Sequence, residues 1–347
     1  MDFERARQFA TRIGVAAALS LVLLAIVLTF LINDRPDMTT VEWLPADDMA
    51  EPAPGVVTLT WLGVGMLLFD DGDTQILVDG FVSRPSLADI VFQRPVTNDI
   101  PLINRVLLDY DMERLAAIIP AHSHFDHAMD IGAIANRSSA SIMGSESTAN
   151  IARGSGVPED QVLVAEPGAE YVFGEFRVTL LNSPHAPIGW RGATPFAGTI
   201  DAPLELPASV GEWREGGSFS IVIAHPQGTA LVHGSAGFSQ EALERLQADV
   251  VIMSVAQLNS LGRNYAERYW QALVTGTGAY RVLPVHFDDP TAPFGEIRLP
   301  PRVIDDFPQT ARWLREFRQT WDQDVSLVMP SFGEPIAIYL VSPAPSS

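Results

Sequence analysis

Seven histidines lie in this chain of 347 residues, and three of them fall in the run Ala121-His-Ser-His-Phe-Asp-His127. His122, His124 and His127 are interleaved there with Asp126. Imidazole and carboxylate are preferred zinc ligands, and the chain has no cysteine to offer a thiolate instead. On an extended backbone, residues two apart point to one side, so His122 and His124 can share one ion. Asp126 and His127 lie just beyond, placed to reach a second ion or to position a water. Zinc lowers the pKa of bound water toward neutrality, so the chemistry expected of such a cluster is attack of hydroxide on a carbonyl or phosphoryl centre. Three histidines leave one coordination position open for it. The competing readings of the run are a solvated His-rich turn and a chance cluster.

The elements that must hold these groups are short. Residues 115–120, Leu-Ala-Ala-Ile-Ile-Pro, read as a buried strand, which puts the cluster where a strand ends and the chain turns. Asp79 closes a similar run, Ile76-Leu-Val-Asp79, and is either a support for a ligand histidine or a simple turn former. His185 follows residues 180–184, Leu-Leu-Asn-Ser-Pro, and His286 follows residues 282–285, Val-Leu-Pro-Val, each again at a strand end. Strands are also expected at 56–62, 65–69, 171–181 (a pair), 218–232 (a pair), 250–254 and 336–341, and helices near 126–135, 147–153, 240–247, 264–274 and 309–321. Ser239 is a plausible N-cap for the 240–247 helix. Residues 81–105, with Pro85, Pro95 and Pro101, read as irregular, a rim or lid. Recurring strand–turn–helix units imply sheets with helices packed outside.

Not all of the 47% hydrophobic content belongs to a core. Residues 14–32 carry no charge over 19 positions and as a helix would span roughly 28 Å, about the thickness of the hydrocarbon layer. No small-residue cleavage site comes after it, so an uncleaved signal anchor is expected rather than a removed secretory signal. Arg5, Arg7 and Arg12 precede it, which puts residues 1–13 in the cytoplasm and the remainder on the periplasmic side of the inner membrane. Residues 33–54 hold four prolines, six acids and one Arg and read as an acidic, Pro-rich linker. A single domain is expected over 55–341 and a disordered Ser/Pro tail over 342–347. Net charge is −20; beyond the anchor 19 Arg face 40 acids. Such a surface repels phosphate backbones, so nucleic acid is not an expected partner. The sequence leaves the oligomeric state open.

The order Asp79, His122-x-His124-x-Asp126-His127, His185 and His286 resembles the metallo-β-lactamase-fold hydrolase superfamily. It is most similar to the branch holding ascorbate-6-phosphate lactonase and N-acyl-phosphatidylethanolamine phospholipase D. Trp61-Leu-Gly63, Glu215-Gly-Gly-Ser218 and His286-Phe-Asp-Asp289 also look like that branch. The resemblance, over about 56–341, implies an α/β, four-layer αβ/βα sandwich with a metal site at one edge. It implies that His122, His124 and His185 hold one zinc, that Asp126, His127 and His286 hold a second metal, and that Asp79 supports the site. One element departs. The family's bridging aspartate corresponds here to Ser235, in Ala230-Leu-Val-His233-Gly-Ser235-Ala-Gly237, and a neutral hydroxyl is a poor ligand. His233, two residues away, is either a compensating ligand or structural. The Trp61-Leu-Gly-Val64 run also lacks a histidine that often comes after the glycine in that branch.

The resulting expectation is a zinc-dependent hydrolase in which Asp126 orients the attacking water and accepts its proton. The rival is a non-catalytic sensor or binding protein on the same fold, for which Ser235 speaks. Residues 187–217, with Trp190, Phe196 and Trp213, are expected to wall the site with apolar surface. With the anchor, that points to a lipid-like ester, lactone or phosphodiester as substrate.

Overall fold

Residues 3–41 and 52–339 are described by a computed structural model. Two seven-stranded sheets form the centre. The first runs in the order Pro335–Ala337, Thr58–Trp61, Leu67–Asp70, Gln75–Val78, Leu115–Ile119, Ser141–Gly144, Val162–Val164. The second runs Ser326–Leu327, Arg281–Val285, Val250–Ser254, Gly228–His233, Ser218–His225, Phe176–Ser183, Glu170–Phe173. Each begins as antiparallel hairpins and becomes parallel: in the first sheet from Gln75–Val78 onward, in the second from Gly228–His233 onward.

The alternation of side chains along each strand divides the core in two. Ile76 and Val78, with Ala117 and Ile119, face the second sheet and meet Val178, Leu180, Ile221 and Val232. Leu77 and Ile118 point the other way, into a cluster with Ile103, Ile131, Ile134 and Ile151 from the helices Ile100–Asp109, Ile131–Ser138 and Glu146–Gly154. Helices Arg263–Trp270 and Phe307–Trp321 cover the opposite face through Trp270, Leu314 and Phe317. The order of layers is helix, sheet, sheet, helix, in agreement with the sequence-based expectation.

Several local expectations are corrected. Residues 81–105 are not irregular: they contain helices Leu87–Val91 and Ile100–Asp109 and a two-residue strand, Pro95–Val96. Ser86 and Asp89 form a reciprocal capping box, and Asp99 caps a helix whose first turn holds Pro101, a position that needs no N–H. Pro101 starts a helix instead of preventing one. Ser239 does cap a helix, accepting from the Ala242 amide, but that helix ends at Leu243 and not at 247. Strands Ser141–Gly144 and Val162–Val164, of four and three residues, are additional to those expected. The last strand covers Pro335–Ala337, and the expected strand end at 341 and the tail 342–347 lie outside the described residues.

The N-terminal helix runs Phe3–Asn33, extending the apolar 14–32 segment by three turns into polar residues. Among the described residues it is the one helix long and apolar enough to cross a membrane, and the side chains of its most apolar stretch are unburied. The segment after the helix is not a free linker. Arg302 donates its backbone N–H to the Asp34 carbonyl at 2.8 Å, Pro36 and Val41 are buried, and Met38–Thr40 form a 3-10 turn capped by Asp37. Residues 42–51 lie outside the described residues.

Candidate metal centre

Asp79, His122, His185, Ser235 and His286 each come after a strand, all at its C-terminal end, the edge at which open α/β sheets bind ligands. His124 is the N-cap of the one-turn helix Phe125–Ala128, which carries Asp126 and His127. Asp79 and His286 adopt left-handed backbone angles, φ of 58° and 62°, that cost non-glycine residues about 1–3 kcal/mol. The surrounding contacts hold both in place. Gly80 donates to the His127 carbonyl at 2.7 Å, and His286 donates its amide to the Val64 carbonyl at 3.0 Å.

Among the described residues, two groups of three side chains bring their ligand atoms within 4.8 Å of one another: His122, His124, His185, and Asp126, His127, His286. The His122 and His127 rings lie 4.0 Å apart between centroids, so the groups adjoin. Tautomers can be assigned from the outer partners. His124 Nε2 lies 2.9 Å from the Pro195 carbonyl and His185 Nδ1 lies 2.8 Å from the Ala186 carbonyl. Carbonyls only accept, so these nitrogens carry the protons and the opposite lone pairs face the cluster. His127 Nδ1 likewise faces Asp79 Oδ2 at 2.6 Å, leaving Nε2 toward Asp126. His122 Nε2 and His124 Nδ1 approach to 2.9 Å, a pair of ring nitrogens that a shared cation would satisfy. Carboxylate or carbonyl partners on the outer nitrogens are the usual support of ligand histidines.

Burial pushes His122 well down, His124 down to about 4, and His185 down. All three are therefore neutral near neutral pH, as coordination requires. Burial opposes the ionised Asp126, but His127 and His286, the latter 3.3 Å away, outweigh it and hold the carboxylate charged. Burial also lowers His127, and Asp79 and Asp126 reverse this to a net rise. The same two carboxylates favour any cation on Nε2, a metal as well as a proton.

The remaining parts of the resemblance serve as scaffold. Glu215 takes the Ser123 amide on its carbonyl at 3.0 Å, and Phe219 donates to the Ala121 carbonyl at 2.9 Å, stitching the His122–His127 loop to the second sheet. Ala121 donates to Asp79 Oδ1 at 2.8 Å. Gly65 passes so close that a Cβ there would lie 2.2 Å from Asp79 Oδ2 and 3.2 Å from His127. Asp288, to which the sequence alone assigns no role, accepts the Val64 amide at 2.9 Å and so fixes the carbonyl that holds His286. Val64, the place of the missing histidine, is buried and acts through its backbone.

His233 lies apart from both groups. Its Nδ1 faces Ser220 Oγ at 2.8 Å, its Nε2 faces the Gly237 carbonyl, and burial lowers its pKa to about 4. It braces the turn carrying Ser235 and does not replace the bridging carboxylate. Ser235 lines the cavity and accepts the Ala186 amide on Oγ at 2.9 Å, beside His185.

A cavity of about 260 Å³ opens over both groups, with Leu87, Ile90, Ile188, Phe196, Pro300 and Ile304 as its apolar walls. Phe196 sits edge-on to His124, with ring centroids 6.0 Å apart. The other two aromatics expected in this wall lie elsewhere: Trp213 is fully buried against the outer face of the first sheet and Trp190 is 84% exposed. Arg35, from the segment after the long helix, lines the cavity, pairing with Asp289 at 2.6 Å and with the Leu299 carbonyl at 2.9 Å. Nothing in the local sequence announces a contact spanning 254 residues.

Behind the cavity wall, Asp305 accepts the Gln257 amide at 2.7 Å while its other oxygen has no partner. Burial raises its pKa from 3.8 to about 7. The folded chain then keeps a proton that the unfolded chain releases, so this residue's contribution to stability falls as pH rises through that window. Asp305→Asn is expected to flatten this part of the fall, read by urea denaturation at pH values on either side of the window. An unchanged pH slope would show that Asp305 is ionised when folded.

The architecture is a helix–sheet–sheet–helix sandwich with two adjoining ligand groups at its strand ends, one of three histidines and one of two histidines and a carboxylate. No family model matches the chain. A UPF0173 metal-dependent hydrolase from Roseiflexus sp. (strain RS-1) is 29% identical over 131 residues, 37% of this chain. The match spans about half of that relative's length (48%). Among solved structures, the metallo-β-lactamase fold protein YhfI from Bacillus subtilis is 16% identical with a TM-score of 0.47, covering 80% of this chain and 98% of that one. An isothiocyanate hydrolase from Delia radicum gut bacteria is 18% identical with a TM-score of 0.48, covering 81% and 99%.

Proposed function

We propose that the protein is a metal-dependent hydrolase. The observation that carries this is the paired donor set: five imidazoles and one carboxylate aim free ligand atoms into one cavity, while outer partners hold most of the rings. His122, His124 and His185 would hold one cation, and Asp126, His127 and His286 a second. Nitrogen and oxygen donors without thiolate suit zinc, and imidazole also accepts iron. A bound divalent ion supplies Lewis acidity toward a substrate oxygen and a lowered water pKa.

The chain's own groups then divide the remaining work. Asp126, held ionised at the cavity floor, orients the attacking water and takes its proton. His286 steadies Asp126, and Asp79 fixes the ring of His127. The apolar walls exclude bulk water and favour a substrate with a hydrocarbon part, so we read the substrate as a lipid-like ester, lactone or phosphodiester. On this reading the Phe3–Asn33 helix anchors the protein in the inner membrane, with the sandwich on the periplasmic side. Nucleic acid is excluded by the acidic surface.

The test is metal quantification on the purified full-length chain together with turnover of ester, lactone and phosphodiester substrates. At least one metal per chain is expected, with turnover lost on chelation and restored by zinc. A metal-free chain without turnover would overturn the proposal and favour the non-catalytic binding protein, as Ser235 would on its own.

A further inference from the structure

We infer that the catalytic sandwich is latched to its membrane helix, with the cavity mouth held in the lipid interface. The inference rests on the reading of Phe3–Asn33 as an anchor, but not on turnover.

The helix ends at Asn33, and the next residue already touches the rim: the Asp34 carbonyl accepts from the Arg302 amide at 2.8 Å. Arg35 then enters the cavity wall, where its guanidinium meets Asp289 at 2.6 Å. Asp289 is almost fully buried and also takes Arg298 at 3.1 Å, and Thr291 donates to its other oxygen at 2.7 Å. The aspartate is thus gripped from three sides, and burial, which would raise its pKa, is outweighed so that it stays ionised. A buried, charged acceptor makes Arg35 a clasp, more than a surface pair would be.

The clasp fixes the direction in which the mouth faces. An apolar helix about 30 Å long needs lipid along its whole side, so the bilayer surface lies at its end, one hydrogen bond from Arg302. Beside Arg302, Val303 is 60% and Ile304 40% exposed. Across the mouth, Leu87 and Ile90 line the cavity, and the residues just after them, Val91 and Phe92, are 62% and 69% exposed. Large apolar side chains exposed together around a rim mark an interaction surface. Arg94 lies 5.4 Å over the Phe92 ring, a pairing of cation and aromatic suited to the headgroup region. The occupant that these features fit is the bilayer surface itself, continuous with the lipid around the helix.

The absence of cysteine makes the test direct. Single cysteines at Phe92, Val303, Leu21 and Val172 are labelled with an environment-sensitive fluorophore, and the full chain is reconstituted in phosphatidylcholine–phosphatidylglycerol vesicles containing doxyl-labelled lipid. Leu21 reports helix insertion. Val172 is an exposed apolar control paired with Arg177, at the far end of the strand that leads to His185, about 20 Å from Ser183 at 3.3 Å per residue. Quenching is expected at Phe92, Val303 and Leu21 and not at Val172. Arg35→Ala is expected to lose the quenching at Phe92 and Val303 while Leu21 stays quenched, with Arg35→Lys restoring part of it. Labels at Phe92 and Val303 quenched no more than that at Val172 would overturn the inference, and so would quenching there that survives Arg35→Ala undiminished. Failure of the Leu21 label to be quenched would overturn it at its base.

Discussion

His124→Ala is expected to strip the first cation from the protein and to lower turnover by about 10³ or more, the effect of losing roughly 4 kcal/mol of transition-state stabilisation. His124 Nδ1 lies 2.9 Å from His122 Nε2, and its other nitrogen is committed to the Pro195 carbonyl, so no second orientation of the ring is available. Two imidazoles would remain at that position, fewer than the three protein ligands on which catalytic zinc sites are built. The substitution removes no core contact: His124 sits in a loop above the sheets, and the strand Leu115–Ile119 is packed through Ala117, Ile118 and Ile119. The variant should therefore keep the circular dichroism of the parent while losing metal, as read by mass spectrometry on the dialysed protein. Unaltered metal content, or activity within tenfold of the parent, would sink the assignment of the first group.

That prediction is available from the sequence, and the reason is physical. Imidazoles are scarce in this chain, and the apolar runs before Asp79, His122 and His286 are strand cores buried on both faces, as strands in parallel pairing are, while the antiparallel strand before His185 alternates and is buried on one face. Residues such as Ile76, Leu77 and Val78 therefore mark both the strands and the points where they end. The two-sheet sandwich arises from the same alternation. The features hidden from the sequence depend on contacts between distant segments. Arg35 in an acidic, Pro-rich stretch looks like linker, and only the fold brings Asp289 to it. Trp213 and Phe196 belong to one Pro/Gly-rich segment, yet one fills the core beneath the first sheet and the other faces His124. Pro101 misleads because proline suits the first turn of a helix as well as a loop, and the decisive signal is Asp99 two residues earlier. Asp288 and His233 lie in suggestive motifs, but their work is done through the Val64 amide and the Gly237 carbonyl, which composition cannot show.

Ser235→Asp is expected to raise metal content from one ion toward two per chain and to tighten the second by at least about tenfold, the low end of what even a supporting partner contributes at such sites. Two dications about 3.5–4 Å apart repel strongly, and paired-metal sites offset this with negative charge placed between the ions. In the second group Asp126 supplies one carboxylate, and His127 and His286 are neutral when they coordinate. Asp79 adds its charge from behind His127, one ring farther from the ion. Ser235 stands at the cavity wall with its Oγ on the Ala186 amide, beside His185 of the first group. An aspartate there would carry the missing charge to the side that faces both groups. His233 braces the turn that carries Ser235 through Ser220 and Gly237, so the backbone need not move to present it. The measurement is a zinc titration of the apoprotein by calorimetry, parent against variant. A second binding step that strengthens in Ser235→Asp would show that the serine has weakened a two-metal centre. If the parent already binds two ions with equal affinity, charge from Asp79 and Asp126 suffices and the serine costs nothing. If the variant still binds one, Asp126, His127 and His286 act on water and substrate instead of on a cation.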